Sequence, residues 1–182
     1  MLKTLIRLIR HRWLDASDAH RAVPPDMAER LRNRVAASEQ RHTGEVRICV
    51  EGGLPPSYLW RHWRGGTPMR QIVRERALMM FAKLRLWDTE HNNGVLIYLL
   101  LAEHAIELVA DRGIDRLVGK EGWSTIMQRM EQAHLGEDLE NGLTQALEEV
   151  SALLVEHFPQ AAQTDDALSH RLNQLPDEPV LR

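Results

Sequence analysis

Two short clusters of polar residues carry the side chains best suited to metal chemistry. The first is DTEHNNG at residues 88–94, and the second is DRGID at residues 111–115. The oxygens of Asp, Glu and Asn side chains are the ligands that hard cations such as Ca²⁺ and Mg²⁺ prefer. Each cluster also contains a glycine, so both equally have the composition of ordinary turns.

The stretch between these clusters decides whether they meet. Residues 95–102 (VLIYLLLA) are apolar on both faces, which is typical of a central strand covered by helices on both sides. Residues 105–112 (AIELVADR) follow after so short a connection that we predict an antiparallel hairpin. Antiparallel neighbours place the start of one strand beside the end of the next, so the two clusters should adjoin at one sheet edge. There, either a cation or Arg112 could neutralise the carboxylates, or the clusters are turns alone.

Nucleophilic catalysis finds no support in the sequence. Cys49 is the only cysteine, which rules out an intramolecular disulfide and a cysteine-based zinc site. It lies in the alternating stretch EVRICVE, residues 45–51, where we predict a half-buried strand and an inert, packed thiol. The chain has no GxSxG nucleophile elbow. It has no glycine loop opening a helix for phosphate, and its nine histidines show no metal spacing.

A second cluster combines aromatic and basic side chains. It is YLWRHWR at residues 58–64, within the stretch 52–69 that we predict to be a loop from its Gly and Pro content. Aromatic rings alternating with Arg can stack nucleic-acid bases or bind phosphates. The net charge of −3 argues against a generic nucleic-acid binder. We therefore expect no nucleic-acid partner and a loop pinned by its own aromatic residues.

Charge is unevenly distributed between the two ends of the chain. Residues 1–21 carry five Lys and Arg against two Asp, and residues 131–182 carry eleven Asp and Glu against two Arg. Residues 1–13 have the spacing of a basic amphipathic helix that ends at Trp13. That helix could dock on the domain, which we favour, or lie on an anionic membrane surface. An oriented surface and two merely solvated ends both remain open interpretations of the charge distribution.

The N-terminus and the apolar runs predict where the protein resides. Basic residues interrupt residues 1–13 every few positions, whereas a signal peptide needs roughly 7–15 continuous apolar residues. The longest apolar run, residues 94–102, falls short of the roughly 20 residues that a spanning helix requires. We expect a soluble, cytoplasmic protein that can associate with a membrane peripherally.

The element order predicts the fold class. The predicted order is helix, strand, helix, strand, strand, helix, helix. The strand–helix–strand crossover in it should be parallel. This order indicates a three-layer α/β/α sandwich with a short mixed sheet. We divide the chain into a basic N-terminal segment, residues 1–22, a domain at 23–159 and a flexible acidic tail at 160–182.

Four segments of the chain together resemble the TPM domain, the family of thylakoid-lumen photosystem II repair proteins and their bacterial relatives. They are HTGEVRICVE, RERALMMFAKLRLWDTEHNNGVLIYLLLAEHAIELVADRGI, GWSTIMQRM and LENGLTQALEEVSALLVEHFP. The resemblance covers roughly residues 25–159, most specifically 75–113, and implies an α/β/α sandwich. This chain is similar to the bacterial subgroup that has neither a signal nor a transmembrane tail.

The resemblance also implies a site. Some members bind Ca²⁺ in an acidic pocket, which maps here onto Asp88, Asn93, Asp111 and Asp115, and Mg²⁺ would suit the same oxygens. Some plant members are described as acid phosphatases, and many bacterial genes lie beside genes for LemA-type membrane proteins. Many members have Thr or Ser where this chain has Arg112, so Arg112 could stand in the place of the cation.

Three functional expectations follow from the residues and the resemblance. The first is a non-catalytic TPM-type binding module in a bacterial cell-envelope process, with a protein partner such as a LemA-type protein and a bound divalent cation. The second is a metal-dependent, acid-phosphatase-like hydrolase that uses the same carboxylates. The third is a peripheral membrane protein attached through residues 1–13.

Overall fold

The described part of the chain comprises residues 7, 10, 11, 13–132, 138–160 and 174–182 of a computed structural model. Its helices and strands alternate largely as the sequence predicts. In chain order they are α1 Ala16–Ala22, α2 Pro25–Glu39, β1 Val46–Glu51, α3 Pro56–Gly65, α4 Met69–Lys83, β2 Val95–Leu100, β3 Ala105–Ala110, α5 Arg112–Gln132, α6 Leu139–His157 and β4 Val180–Leu181.

Within the described residues these strands form one mixed sheet in the order β3-β2-β1-β4. β1 and β2 are parallel, with Val46 opposite Val95, and helices α3 and α4 make the crossover between them. β2 and β3 are antiparallel, with Val95 opposite Ala110, and a single 3-10 turn at Leu101–Glu103 joins them. Both the parallel crossover and the antiparallel hairpin of the sequence prediction are confirmed.

Two hydrophobic cores lie on opposite faces of this sheet. Successive strand side chains point to opposite faces, so Ile97 and Leu99 join one core while Leu96, Tyr98 and Leu100 join the other. Helices α2, α5 and α6 cover the first face, and α3 and α4 cover the second. All six residues of β2 are buried, as expected for a strand covered on both sides. The three-layer α/β/α arrangement is confirmed.

The predicted loop at 52–69 instead contains helix α3. Pro55 and Pro56 occupy its start, where a missing backbone N–H breaks no helical hydrogen bond, and Gly66 ends it in the left-handed conformation, with φ of 65°. The Gly and Pro residues that indicate a loop are therefore the two ends of a ten-residue helix.

Two further departures lie near the end of β3 and at the C-terminus. Helix α5 starts at Arg112 directly after β3 and bends at Gly119, whose φ of 67° is non-helical. Residues 160–182 are predicted to be a mobile tail, yet Val180–Leu181 pair in parallel with Cys49–Val50 as strand β4. Residues 161–173 of that tail lie outside the described part.

Most of the predicted basic helix at 1–13 also lies outside the described residues. Two of the described residues contact the domain: Arg10 donates to the Ala102 carbonyl (3.1 Å), and His11 is buried. The His11 ring accepts a hydrogen bond from the Leu54 N–H (3.1 Å) and bonds Glu103 (2.9 Å). These contacts favour docking of the segment on the domain. Among the described residues, no helix combines the length and apolarity needed to cross a bilayer.

Candidate functional site

The two polar clusters meet at the sheet edge where β2 begins and β3 ends, as the hairpin topology predicts. The Asp111 N–H donates to the Gly94 carbonyl (2.8 Å), and the Gly113 N–H donates to the Asn92 carbonyl (2.9 Å). A Cβ atom at Gly113 would lie closer than 3.0 Å to the Asn92 and His91 carbonyls, so only glycine permits this approach. The start of α5 is thereby held against the loop that precedes β2.

Asp111 is the buried carboxylate of this edge. It is 8% exposed, and its Oδ1 atom accepts from the Arg112 N–H at the first position of α5 (2.7 Å). Its Oδ2 atom is buried and has no hydrogen-bond partner among the described residues. A buried carboxylate oxygen without a donor is unfavourable, because its lost hydration is not replaced.

Asn93 lies one residue from the carbonyl that Asp111 contacts. It is buried; its side-chain amide donates to Thr43 Oγ1 (3.3 Å), and its backbone N–H donates to Thr89 Oγ1 (3.1 Å). These two hydroxyls fix its position beside the start of β2. The structure thus brings Asn93 and Asp111 close together.

The other two predicted ligands have different surroundings. Asp88 is exposed and forms an ion pair with Arg85 (2.6 Å). Asp115 is exposed in the first turn of α5, where it lines a groove with Arg70 and Lys120. Within the described ranges, no three Asp, Glu, His or Cys side chains form a metal cluster, so a cation here would depend on amide, carbonyl or water oxygens as well.

Arg112 does not neutralise Asp111 through its side chain. Its guanidinium Nε donates to the Asn92 side-chain oxygen (3.1 Å), and only its backbone N–H bonds the Asp111 carboxylate. The sequence leaves open whether Arg112 or a cation neutralises the carboxylates. Among the described residues, no positive group bonds Asp111 Oδ2.

The opposite end of the sheet holds a buried charge network. Arg76 forms a two-pronged ion pair with Glu51, one arm of which is 2.8 Å long, and Tyr98 donates its hydroxyl to the same carboxylate (2.7 Å). Burial, followed by the neighbouring Glu51 charge, raises the pKa of the Tyr98 hydroxyl and raises that of the adjacent Cys49 thiol to about 12. Cys49 is fully buried as well, which confirms a packed thiol. The prediction that its strand is half-buried is wrong, because both faces of the sheet are covered and all six residues of β1 are buried.

A groove of about 730 Å³ runs between helices α4 and α5 along the outer edge of β3. Its charged lining consists of Arg70, Arg74, Glu107, Asp115 and Lys120. Arg74 pairs with Glu107 (3.3 Å) and also donates to the Leu108 carbonyl, which covers part of the strand edge. Arg70, Lys120 and Asp115 leave a mainly cationic groove next to the acidic edge.

The two tryptophans of α3 do not pin this segment to the domain, contrary to the sequence prediction, whereas Tyr58 packs against the core. Trp60 and Trp63 are 53% and 58% exposed, and their rings meet edge to face with centroids 5.4 Å apart. The Arg64 guanidinium lies over the Trp60 ring at 5.3 Å. Only Leu59 of this helix is buried, and Tyr58 is half-buried beside the Arg76 guanidinium.

Comparison with known proteins bears on the family and on the fold. The family model of the TPM domain matches residues 17–153. The solved NMR structure of BA42 protein, from the psychrophilic bacterium Bizionia argentinensis, superposes with a TM-score of 0.65 at 20% sequence identity. That superposition covers 87% of this chain and 94% of BA42, and at this identity it speaks for the fold alone. A search of curated proteins gives no match.

Proposed function

Because the chain belongs to the TPM domain family, we propose that it is a non-catalytic binding module of a bacterial cell-envelope process. We further propose that the sheet edge at Asp111 holds a divalent cation. The observation that carries the second proposal is the buried Asp111 Oδ2 atom, which has no hydrogen-bond partner among the described residues. A cation would supply the charge and the bond that this oxygen lacks.

The donor set at this edge suits Ca²⁺ better than Mg²⁺. Ca²⁺ accepts six to eight oxygen ligands in flexible geometry, at metal–oxygen distances of about 2.3–2.6 Å. Mg²⁺ demands a near-ideal octahedron with shorter metal–oxygen distances of about 2.0–2.1 Å. Asp111 would be the anchoring carboxylate and Asn93 the neighbouring amide. Asp88 and Asp115 would assist from the rim, Asp88 only after it leaves Arg85. The remaining ligands would be water.

The phosphatase alternative rests on the cationic groove. A metal ion can polarise a phosphoryl oxygen and generate hydroxide only where one coordination position stays open to substrate. Asp111 is buried, which limits that access. Arg70 and Lys120, however, line a groove beside Asp115 and could take up the charge of a phosphate ester. We rank hydrolysis second for this reason.

Isothermal titration with Ca²⁺ and with Mg²⁺ tests the cation site. We expect saturable Ca²⁺ binding and an increase in Kd of at least about tenfold in Asp111→Asn, since cation affinity follows the count of charged ligands. The matched control is Asp138→Asn, because Asp138 caps the start of α6 by accepting from the Asn141 N–H (3.1 Å), far from this edge along the chain. No binding by the wild type, or equal binding by Asp111→Asn, would refute the site.

The same preparations decide between the module and the hydrolase. Turnover of a small phosphate ester should be absent with either metal if the protein is a binding module. Metal-dependent turnover that disappears in Asp111→Asn would replace that proposal with the hydrolase. Turnover that survives both Asp88→Asn and Asp111→Asn would place catalysis on other residues.

We assign the protein partner to the groove beside β3. Its cationic lining, in which Arg70 and Lys120 form no ion pair within the described residues, suits a partner with exposed carboxylates, and a LemA-type protein from the same genome is the partner to test. Lys120→Glu should weaken that association, whereas Arg116→Glu makes the same charge change on the same helix outside the groove lining. Equal affinities of the two variants would exclude this groove as the binding surface.

A further inference from the structure

Exposed tryptophans concentrate at the end of the sheet opposite Asp111. Trp60 and Trp63 project from α3, which follows the carboxyl end of β1, and the third ring, Trp13, is 79% exposed on the N-terminal segment. Large aromatic side chains left in water in this number are unfavourable unless a partner covers them. The surface formed by α3, His11 and residues 13–15 is hereafter the tryptophan surface.

The N-terminal segment and α3 belong to one surface because they line one groove. The groove measures about 500 Å³, and its walls combine the segment and the helix: His11, Leu14, Asp15, Gly53, Leu54, Pro55, Pro56, Leu59, Trp60 and Trp63. A Cβ atom at Gly52 or Gly53 would lie closer than 3.0 Å to backbone atoms of Asp15 or His11. The two glycines therefore let the segment pack directly on the loop that leads into α3.

Basic side chains lie beside the rings of α3. Helix α3 contains Arg61, Arg64 and His62 and no acidic residue, and Asp15 is the one acidic residue among the described residues that line the groove. The Arg64 guanidinium lies over the Trp60 ring, and Arg61 pairs with Glu75 on α4 (2.6 Å). The tryptophan surface is thus aromatic and basic on a chain whose net charge is −3.

We infer that the tryptophan surface docks on an anionic lipid bilayer. Trp prefers the headgroup level of a membrane, where its ring is half in hydrocarbon and its N–H stays hydrated. Arg adds attraction to anionic headgroups that depends on salt. Exposed Trp flanked by Arg is the composition of helices that lie in the interface plane.

Docking in this way fixes the orientation of the domain. β1 and β2 are parallel six-residue strands, so their two ends lie roughly 20 Å apart at about 3.3 Å per residue. The tryptophan surface adjoins the carboxyl end of β1, and Asp111 adjoins the amino end of β2. The bound protein would present the Asp111 edge away from the lipid, free to meet another ligand.

Vesicle flotation of the full chain tests this inference. We expect flotation with vesicles of phosphatidylcholine and phosphatidylglycerol, little with phosphatidylcholine alone, and release as salt is raised. The double variant Trp60→Ala, Trp63→Ala should bind at least about tenfold more weakly, since two half-exposed rings lose their apolar contact with lipid. Arg64→Gln should bind about fivefold more weakly, since one basic residue contributes about 1 kcal/mol near an anionic surface.

Trp87 supplies the matched control for the aromatic variants. It is 51% exposed but follows α4, at the sheet end where β2 begins. Trp87→Ala should therefore float like the wild type. The inference is overturned if the wild type never floats, if the double variant floats equally well, or if Trp87→Ala loses as much binding. Ca²⁺ titration of the double variant should match the wild type, so failure here and failure of the Asp111 site are distinguishable.

Discussion

Gly94→Ala is the substitution that tests most sharply how the candidate site is built. A Cβ atom at Gly94 would lie much closer than 3.0 Å to the Leu86 carbonyl oxygen, and 3.0 Å from the Leu86 carbonyl carbon. Cβ atoms in proteins essentially never approach another heavy atom more closely than 3.0 Å. The obstacle is backbone of a fully buried residue, which cannot rotate away. Overpacking of this kind costs typically about 1–3 kcal/mol, and we expect about 3 kcal/mol here. For a chain of this size that corresponds to a fall in Tm of about 6–12 °C.

The substitution should also weaken the proposed cation site. The Gly94 carbonyl accepts the Asp111 N–H, and Asn93 precedes it, so displacement of Gly94 separates the two polar clusters. Thermal unfolding followed by circular dichroism gives the stability change, and calorimetric titration of the folded variant gives the Ca²⁺ affinity.

Gly65→Ala is the control for the loss of glycine itself. Its added Cβ would meet nothing nearer than Thr67 Oγ1, at 3.6 Å, and it lies at the end of α3, where Ala should be neutral or stabilising by up to about 1 kcal/mol. If Gly94→Ala unfolds within 1 °C of Gly65→Ala, the close packing of the loop on the β2 start does not hold the site together.

Three further predictions concern the interior and the surface charges. Arg76→Met should destabilise the protein by about 3–5 kcal/mol in urea unfolding, because it leaves the buried Glu51 carboxylate without its cation; a loss below 1 kcal/mol would contradict this. Cys49 should resist alkylation in the folded protein at pH 8 and react once unfolded, since burial raises its thiol pKa to about 12; fast labelling of folded protein would refute that burial. Ion pairs with Arg30 lower the pKa of Glu140 and of Asp26, so their contribution is present above the unfolded values of 4.5 and 3.8 and is lost as pH falls through the lower folded values. Tm measured between pH 6 and pH 3 should therefore fall more in the wild type than in Arg30→Gln, and equal falls would contradict the pairing.

The sheet could be predicted because its signals are local and redundant. Residues 95–102 are apolar on both faces, and the connection to 105–112 is too short for anything but a hairpin, so topology alone places DTEHNNG beside DRGID. Strand β4 could not be predicted in this way. Two residues carry no periodicity, and Val180–Leu181 form a strand only because β1 offers them a free edge.

Helix α3 shows how Pro and Gly, which break helices when they lie inside them, can be misinterpreted as a loop when they lie at the helix ends. The prolines at its start and Gly66 just past its end are helix boundaries, and the eight residues 57–64 contain neither Pro nor Gly. A search for Pro at the first turn and Gly just past the last would find this helix. The exposure of Trp60 and Trp63 could not be inferred from sequence, because both share a helical face with Leu59 and an apolar face is normally buried.

The site could be predicted in position but not in detail. Topology brings Asn93 and Asp111 to one edge, yet it cannot show that Asp88 turns to Arg85 or that Arg112 bonds Asn92. Arg85 and Asn92 both adopt positive φ, at 61° and 52°, and non-glycine residues in this region are set by tertiary contacts.

The measurement that tests the central claim most directly is a Ca²⁺ titration of ¹⁵N-labelled protein followed by backbone amide resonances. A cation at Asp111 predicts saturable shifts concentrated at residues 92–94 and 111–113, which need at least about tenfold more Ca²⁺ in Asp111→Asn and are unchanged in Asp138→Asn. Shifts confined to other acidic stretches, or none at these amides at saturating Ca²⁺, would contradict the claim that this sheet edge binds a divalent cation.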